Sequence, residues 1–372
     1  MKYFYTCLFL LIFIGVNAQV KIGSTNYNSL ALAFHDINSG VKTGAITVEI
    51  TGNTNELYIP TLIKSGDAWA QYGIANYTSV LIKPTGGGAR TINMTGSQSI
   101  SIKEAANVTI DGLNTGGNSL TFNSTNAVIT LDATTNFTIT KCTLLGSGTY
   151  VIGVTAGAET TTNTSITYNN ISNSTGTVPY GIYLSGNRPM INTIITNNNI
   201  SGFSFPEGSA SGIELTGSAQ GFTISSNRIF QSTPTSSNTT YGIRAVCNIY
   251  AGANLITNNT IGFANASGTG VCVNNGSFYG IYYSMTTDNV RSYINSNTIS
   301  GIQSTNPYMA TFTGIYAERG LVDINYNVIG SFLSNNAVTI NNAAGNIRGI
   351  YLNKITNGGL EQTTISQNIV GG

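Results

Sequence analysis

The sequence predicts an all-β protein wound as a parallel β-helix, with one short helix over its first coil. Three observations carry that expectation. The phrase Asn-x-Ile recurs at Asn169/Ile171, Asn198/Ile200, Asn227/Ile229, Asn259/Ile261, Asn297/Ile299 and Asn327/Ile329, with Asn368/Val370 as its last copy. A Gly-Ile phrase alternates with it, at Gly181, Gly212, Gly242, Gly280, Gly314 and Gly349. The segments between are short, rich in Ile, Thr, Val and Tyr, and alternate with period two, as in "FTITKCTL" and "GFTISSNRI". A recurrence of about 20 to 50 residues marks a solenoid or a propeller, and the Trp-Asp blade signature is absent. Helix formers are scarce after residue 40, which disfavours helical repeats.

Residues 1–18 read as a secretory signal peptide. Lys2 precedes an apolar run from Leu8 to Val16, and Val16-Asn17-Ala18 supplies small residues ahead of Gln19. Residues 19–100 read as a cap and first strands. In "NYNSLALAFHDINSG", Leu30, Ala33, Phe34 and Ile37 fall at helical spacing, with Asn28 as the expected N-cap and Gly40 as terminator. With "AITVEITG" this helix would cover an end that otherwise exposes apolar side chains and unpaired edges. Residues 101–372 read as the repeats. Leu144 and Leu113 are expected in the isoleucine column, with Cys142 and Asp111 replacing Asn, so that the aliphatic positions step by 31, 27, 29, 29, 32, 38, 30 and 41 residues. The chain stops at "SQNIVGG", inside the phrase, and the reading expects a truncated or split frame.

The asparagines have a structural assignment. In Asn-x-Ile both named side chains should point inward at a corner whose turn Gly and Asn supply. Coils stacked at about 4.8 Å would then pile isoleucine on isoleucine, while the amides bond from coil to coil. Asn169, Asn198, Asn227, Asn259, Asn297, Asn327 and Asn368 are the expected ladder, satisfying polar groups that are costly to bury unpaired.

Charged residues are 8% of the chain, and without Lys2 the acids and bases balance at 14 each. That argues against nucleic acid and anionic membranes as partners. No later segment approaches the roughly 18 apolar residues of a membrane span. Removing the signal leaves Cys142, Cys247 and Cys272, an odd number that rules out a fully paired disulfide framework, and buried free thiols are expected.

The Gly-Ile-Tyr and Asn-Asn-x-Ile phrases resemble the repeats of the right-handed parallel β-helix (pectate-lyase-like) superfamily, over roughly residues 45 to 372. "ALAFHDINSGVKTGAITVEITGNTNE", "NYTSVLIKPTGGGARTI" and "NVTIDGLNTGGNSLTF" resemble the N-terminal region of large secreted surface proteins of the Bacteroidota. The resemblance implies a right-handed solenoid, export and a place outside the cell or on its surface. The C-terminal sorting domain usual in such proteins is missing from this sequence.

Chemistry is sparse. Lyases of this fold need clustered carboxylates for Ca²⁺ with an Arg or Lys base, and glycosidases need two carboxylates about 5 to 9.5 Å apart. The acids here are mostly isolated in sequence, and no His/Cys metal spacing occurs. His35 is expected to be a solvated helix residue, and "PTGGGART" a turn without the Lys-Ser/Thr of a phosphate loop. No cofactor or metal is expected. One constellation remains. The residue after each Gly-Ile should face outward, giving the column Tyr183, Glu214, Arg244, Tyr282, Tyr316 and Tyr351. Such a face suits sugar stacking or a partner protein. Tyrosine packing on tyrosine between strands is the simpler explanation of the same column. The sequence therefore points to a non-enzymatic secreted or cell-surface module for adhesion, polysaccharide or surface-protein binding. The rivals are a polysaccharide lyase or glycoside hydrolase, and a structural spacer without a ligand.

Overall fold

The computed structural model describes residues 19–371 except 158, 174–177, 249–251, 287–289, 306–309, 332–336, 341–344 and 354–362. The proposed signal peptide, with Lys2 and Cys7, lies outside the described residues. The rest is a right-handed parallel β-helix. Each coil contributes one strand to each of three long sheets, called here faces one, two and three. Face one runs from Thr43–Ile50 through Ser165–Thr167 to Ile365–Ser366. Face two runs from Thr54–Glu56 through Asn170–Asn173 to Ile369–Val370, and face three from Thr61–Ile63 through Tyr180–Gly186 to Asn346–Leu352. Coil stacking thus begins at Thr43, well before residue 101. From Cys272 onward the coils also carry a short fourth strand, seen at Cys272–Asn274, Ile302–Ser304 and Val338–Ile340.

The core is a set of aliphatic columns, because in-register parallel pairing places like residues above one another. On face two, Leu144, Ile171, Ile200, Ile229, Ile261, Ile299 and Ile329 pair in sequence and are buried. Between faces one and two the chain bends at one left-handed residue per coil, with φ of 53 to 59° from Lys141 and Tyr168 to Tyr326 and Gln367. Glycine and asparagine were expected at these corners. Here lysine, tyrosine, serine and glutamine serve as well, because the next residue holds the bend.

That next residue is the ladder asparagine. Asn198 shows the pattern: its backbone N–H and its Nδ2 both donate to Asn227 Oδ1, each at 3.0 Å, and Nδ2 also donates to the Ile166 carbonyl at 2.8 Å. The same bonds run from Asn169 to Asn368. The ladder asparagines from Asn169 to Asn327 are buried; Asn368, on the last coil, is half-buried. Cys142 extends the column by donating its N–H to Asn169 Oδ1 at 2.9 Å. Asp111 does not. It pairs with Thr140, one strand position before the corner, and Phe122 rather than Leu113 sits beside Leu144. The loop between Asp111 and Ser119 displaces the phrase, and Leu113 is half-exposed at φ 57°.

The two phrases meet in one contact. A Cβ on Gly181 would lie 2.6 Å from Ile200 Cγ2 and 2.7 Å from the Gly212 carbonyl oxygen. Gly212, Gly242, Gly280, Gly314 and Gly349 approach Ile229, Ile261, Ile299, Ile329 and Val370 in the same way. Face three bends at the glycine and packs directly on the Asn-x-Ile side chain, which is why the phrases alternate.

Helix α1 (Leu30–Asn38) closes the first coil with Leu30, Ala33, Phe34 and Ile37 buried. Its N-cap is Ser29 rather than Asn28: Leu32 N–H donates to Ser29 Oγ at 3.2 Å. Gly40 follows the end in a left-handed conformation, its N–H on the Ile37 carbonyl. Three devices cover the sheet edges. Glu56, at the end of the first face-two strand, accepts the N–H groups of Leu30 and Ala31 at 2.9 and 3.0 Å. Asn38 bonds the Thr61 carbonyl and the Ile63 N–H of the first face-three strand. Val20–Ile22 pairs antiparallel with Thr43–Ile50, and Thr25–Tyr27 pairs antiparallel on its other side and so ends face one. Cys142, Cys247 and Cys272 are buried and unpaired; burial raises all three thiols, the latter two to about 12.

The asparagine column yields a stability test. Asn227→Leu leaves the Asn198 N–H and the Ile195 carbonyl without partners, so denaturant unfolding should show a loss of about 1–3 kcal/mol. A neutral result would mean that the buried amides contribute nothing.

Candidate functional site

Face three carries the tyrosines. Its register places Tyr183, Glu214, Arg244, Tyr282, Tyr316 and Tyr351 on successive coils, side by side. A second column stands beside it: Tyr150, Tyr180, Ser211, Tyr241, Tyr279, Thr313 and Arg348. Counting by two outward from Ile182 puts Tyr180 inside. The bend at Gly181 breaks that alternation and swings the tyrosine out. The signal was present as the "YG" in front of several Gly-Ile phrases.

The rings lie mostly against each other. Tyr282 and Tyr316 stack at 4.8 Å between centroids, Tyr241 and Tyr279 at 5.2 Å, and Tyr180 and Tyr183 at 4.8 Å. Tyr282 meets Tyr241 and Tyr279 edge-on. Ring faces are therefore largely taken up by neighbours, and what the sheet turns outward is a row of ring edges and hydroxyls. Some hydroxyls are engaged: Tyr282 donates to Glu318 Oε2 at 2.9 Å, and Tyr316 accepts from Asn353 at 3.1 Å. Burial raises the phenols of Tyr150, Tyr180, Tyr241, Tyr279 and Tyr282 above the ordinary tyrosine range.

Glu214 and Arg244 form the adjacent pair expected from the sequence, but the pair is not an exposed one. Glu214 is 1% exposed, covered because its coil offers only Ser211 beside it while larger side chains flank it on both sides. Its carboxylate takes Arg244 on Oε1 and the Ser211 hydroxyl on Oε2 at 2.7 Å. Arg244 in turn lies over the rings of Tyr241 and Tyr282, at 5.5 and 5.8 Å. Burial raises the Glu214 carboxyl above its ordinary value, outweighing the nearby guanidinium and the hydroxyl, which lower it. The carboxylate raises Arg244 against the effect of its own burial.

His35 is half-exposed, 3.5 Å from Asp36 and edge-on to Tyr72. Thr85 to Gly88 form a turn between the strands Asn76–Pro84 and Ala89–Met94, with Gly86 and Gly87 left-handed. Among the described residues no group of three His, Cys, Asp or Glu is placed to hold a metal ion, and no helix is long and apolar enough to cross a membrane. No family model, curated protein or solved structure matches the chain.

The raised Glu214 carboxyl sets a pH dependence. Its folded pKa lies above the unfolded value near 4.5, so the neutral form favours the fold. That contribution is complete below about 4.5 and is lost as pH rises through the folded pKa. Thermal unfolding of the parent, scanned from acid to neutral pH, should show a downward component that Glu214→Gln removes. Superimposable profiles for parent and variant would contradict it.

Proposed function

We propose that the protein is a non-enzymatic secreted or cell-surface module that holds polysaccharide along the tyrosine face. The resemblance of its first coils to surface proteins of the Bacteroidota supports the location. One observation carries the binding role: two tyrosine columns stand side by side over successive coils on a nearly uncharged protein. Five steps of about 4.8 Å spread the column from Tyr183 to Tyr351 over roughly 24 Å, the span of a few sugar units laid along the axis. The contact is made through hydroxyls and ring edges, with Arg244 and Arg348 as charged donors, rather than by sugar rings lying flat on tyrosine. Glu214 is a poor general acid or base in this reading, since Arg244 and Ser211 occupy its oxygens and its neighbours cover it.

The ring-on-ring stacking favours a second reading, the spacer without a ligand, in which the tyrosines only brace the strands. On a glycan array, Tyr282→Ala with Tyr316→Ala should lower the signal at least about tenfold, a loss of 1.4 kcal/mol or more. Tyr279→Phe with Tyr351→Phe keeps the rings, so it should weaken binding while leaving the unfolding temperature nearly unchanged. If the parent binds no glycan and the alanine pair only lowers the unfolding temperature, the spacer reading holds.

The enzyme reading has its own test. Purified protein incubated with acidic and neutral polysaccharides, with and without Ca²⁺, should release no reducing or unsaturated ends. Sustained release by the parent would make the chain a lyase or hydrolase instead.

A further inference from the structure

The chain's single tryptophan lies far from the tyrosine columns, on a hairpin beside helix α1. Ala68 and Ile74 bridge the hairpin, Trp69 N–H donates to the Gly73 carbonyl at 2.8 Å, and Tyr72 N–H donates to the Trp69 carbonyl at 2.9 Å. Its root is locked onto the end of the helix. A Cβ on Gly73 would collide with the Ser39 carbonyl, and one on Gly40 with the Ile74 carbonyl. Both glycines also have positive φ, so no other residue fits this junction without strain. The hairpin therefore carries Trp69 and Tyr72 from a constrained root.

Two cavities share these residues in their walls. One, of about 430 Å³, is walled by Leu32, His35, Tyr58, Trp69 and Tyr72. The other, of about 420 Å³, shares Trp69 and Tyr72 and has Asp67, Lys103 and Glu104 at its rim. Both volumes lie in the range of small-ligand pockets, about 300 to 1,000 Å³. The surroundings are unusually apolar for an exposed surface: Tyr58 is 72% and Tyr72 55% exposed, with Leu57 and Ile59 also open to solvent. Here, unlike on face three, the aromatic side chains are not packed into columns.

We infer that this paired cavity is a second binding site, for a linear neutral oligosaccharide, with Trp69 and Tyr72 between two sugar subsites. The chemistry of the walls selects the ligand. Pyranose rings carry C–H faces that pack on Trp69 and Tyr72, and hydroxyls that reach Asp67, Glu104 and Lys103. An apolar peptide or lipid would leave the charged rim unpaired. A polyanion would meet two carboxylates with one lysine to offset them. Two adjoining cavities that share Trp69 and Tyr72 suit a chain of sugars better than a single small molecule.

Trp69 is its own reporter, because no other tryptophan contributes to the emission. The full chain is titrated with tetramers of β-1,4-linked glucose, mannose and xylose, following tryptophan fluorescence. At least one should shift or quench the emission saturably below about 10 mM, the weak end of specific binding. Tyr72→Ala should weaken that response about tenfold with an unchanged circular dichroism spectrum. Tyr282→Ala with Tyr316→Ala should leave the response intact, so the cap site stands or falls apart from the tyrosine face. Silence of Trp69 toward all three sugars overturns the inference, as does a response that Tyr72→Ala does not weaken. A response only to an acidic oligosaccharide, run as a fourth titrant, also overturns it.

Discussion

From Cys142 onward each coil turns a buried corner, and the turn strips one backbone N–H of a ladder partner. An orphaned N–H inside a protein costs about 1–3 kcal/mol. The asparagine amide of the following coil removes that cost, as Asn227 does for the Asn198 N–H, and its own Nδ2 donates to the Ile195 carbonyl of that same coil and to Asn259 of the next. Three successive coils are thereby stitched at each rung. The isoleucine two residues later is held in place by the same bend, and the glycine of face three closes on it. The tyrosine columns outside depend on that glycine, because it bends the strand that presents them. Corner, core and outer face are linked in sequence.

How much of this was legible follows from what each feature depends on. The ladder from Asn169 to Asn368 and the column from Tyr183 to Tyr351 could be read because stacking in register turns sequence periodicity directly into adjacency. Asp111 and Leu113 defeated the same logic, since the loop before Ser119 inserts residues that the phrase spacing hides. Tyr150, Tyr180, Tyr241 and Tyr279 were hidden for the opposite reason: alternation by two fails at a glycine bend. An exposed position for Glu214 followed from counting faces. What buried it was the size difference between Ser211 and the neighbouring tyrosines, a property of adjacent coils rather than of its own strand. The cap contacts of Glu56 and Asn38 were out of reach, because each occurs once and carries no period.

The two aromatic regions differ in kind although both are rich in tyrosine. On face three the rings recur at a coil spacing close to the centroid separation of stacked rings, so they cover each other. At the cap, a single irregular hairpin holds Trp69 and Tyr72 out of register with everything else. Periodic aromatics favour self-contact; a solitary pair keeps surface for another molecule.

The asparagine column also has a direction. At each rung the amide nitrogen points toward the next coil and the oxygen toward the previous one, from Asn169 through to Asn368. Seven side-chain dipoles are thus aligned head to tail along an axis of about 29 Å, inside a low-dielectric core where such chains polarise one another. The column consequently carries partial positive character at its late end and partial negative character near Cys142, a contribution that adds to the field of the chain's formal charges.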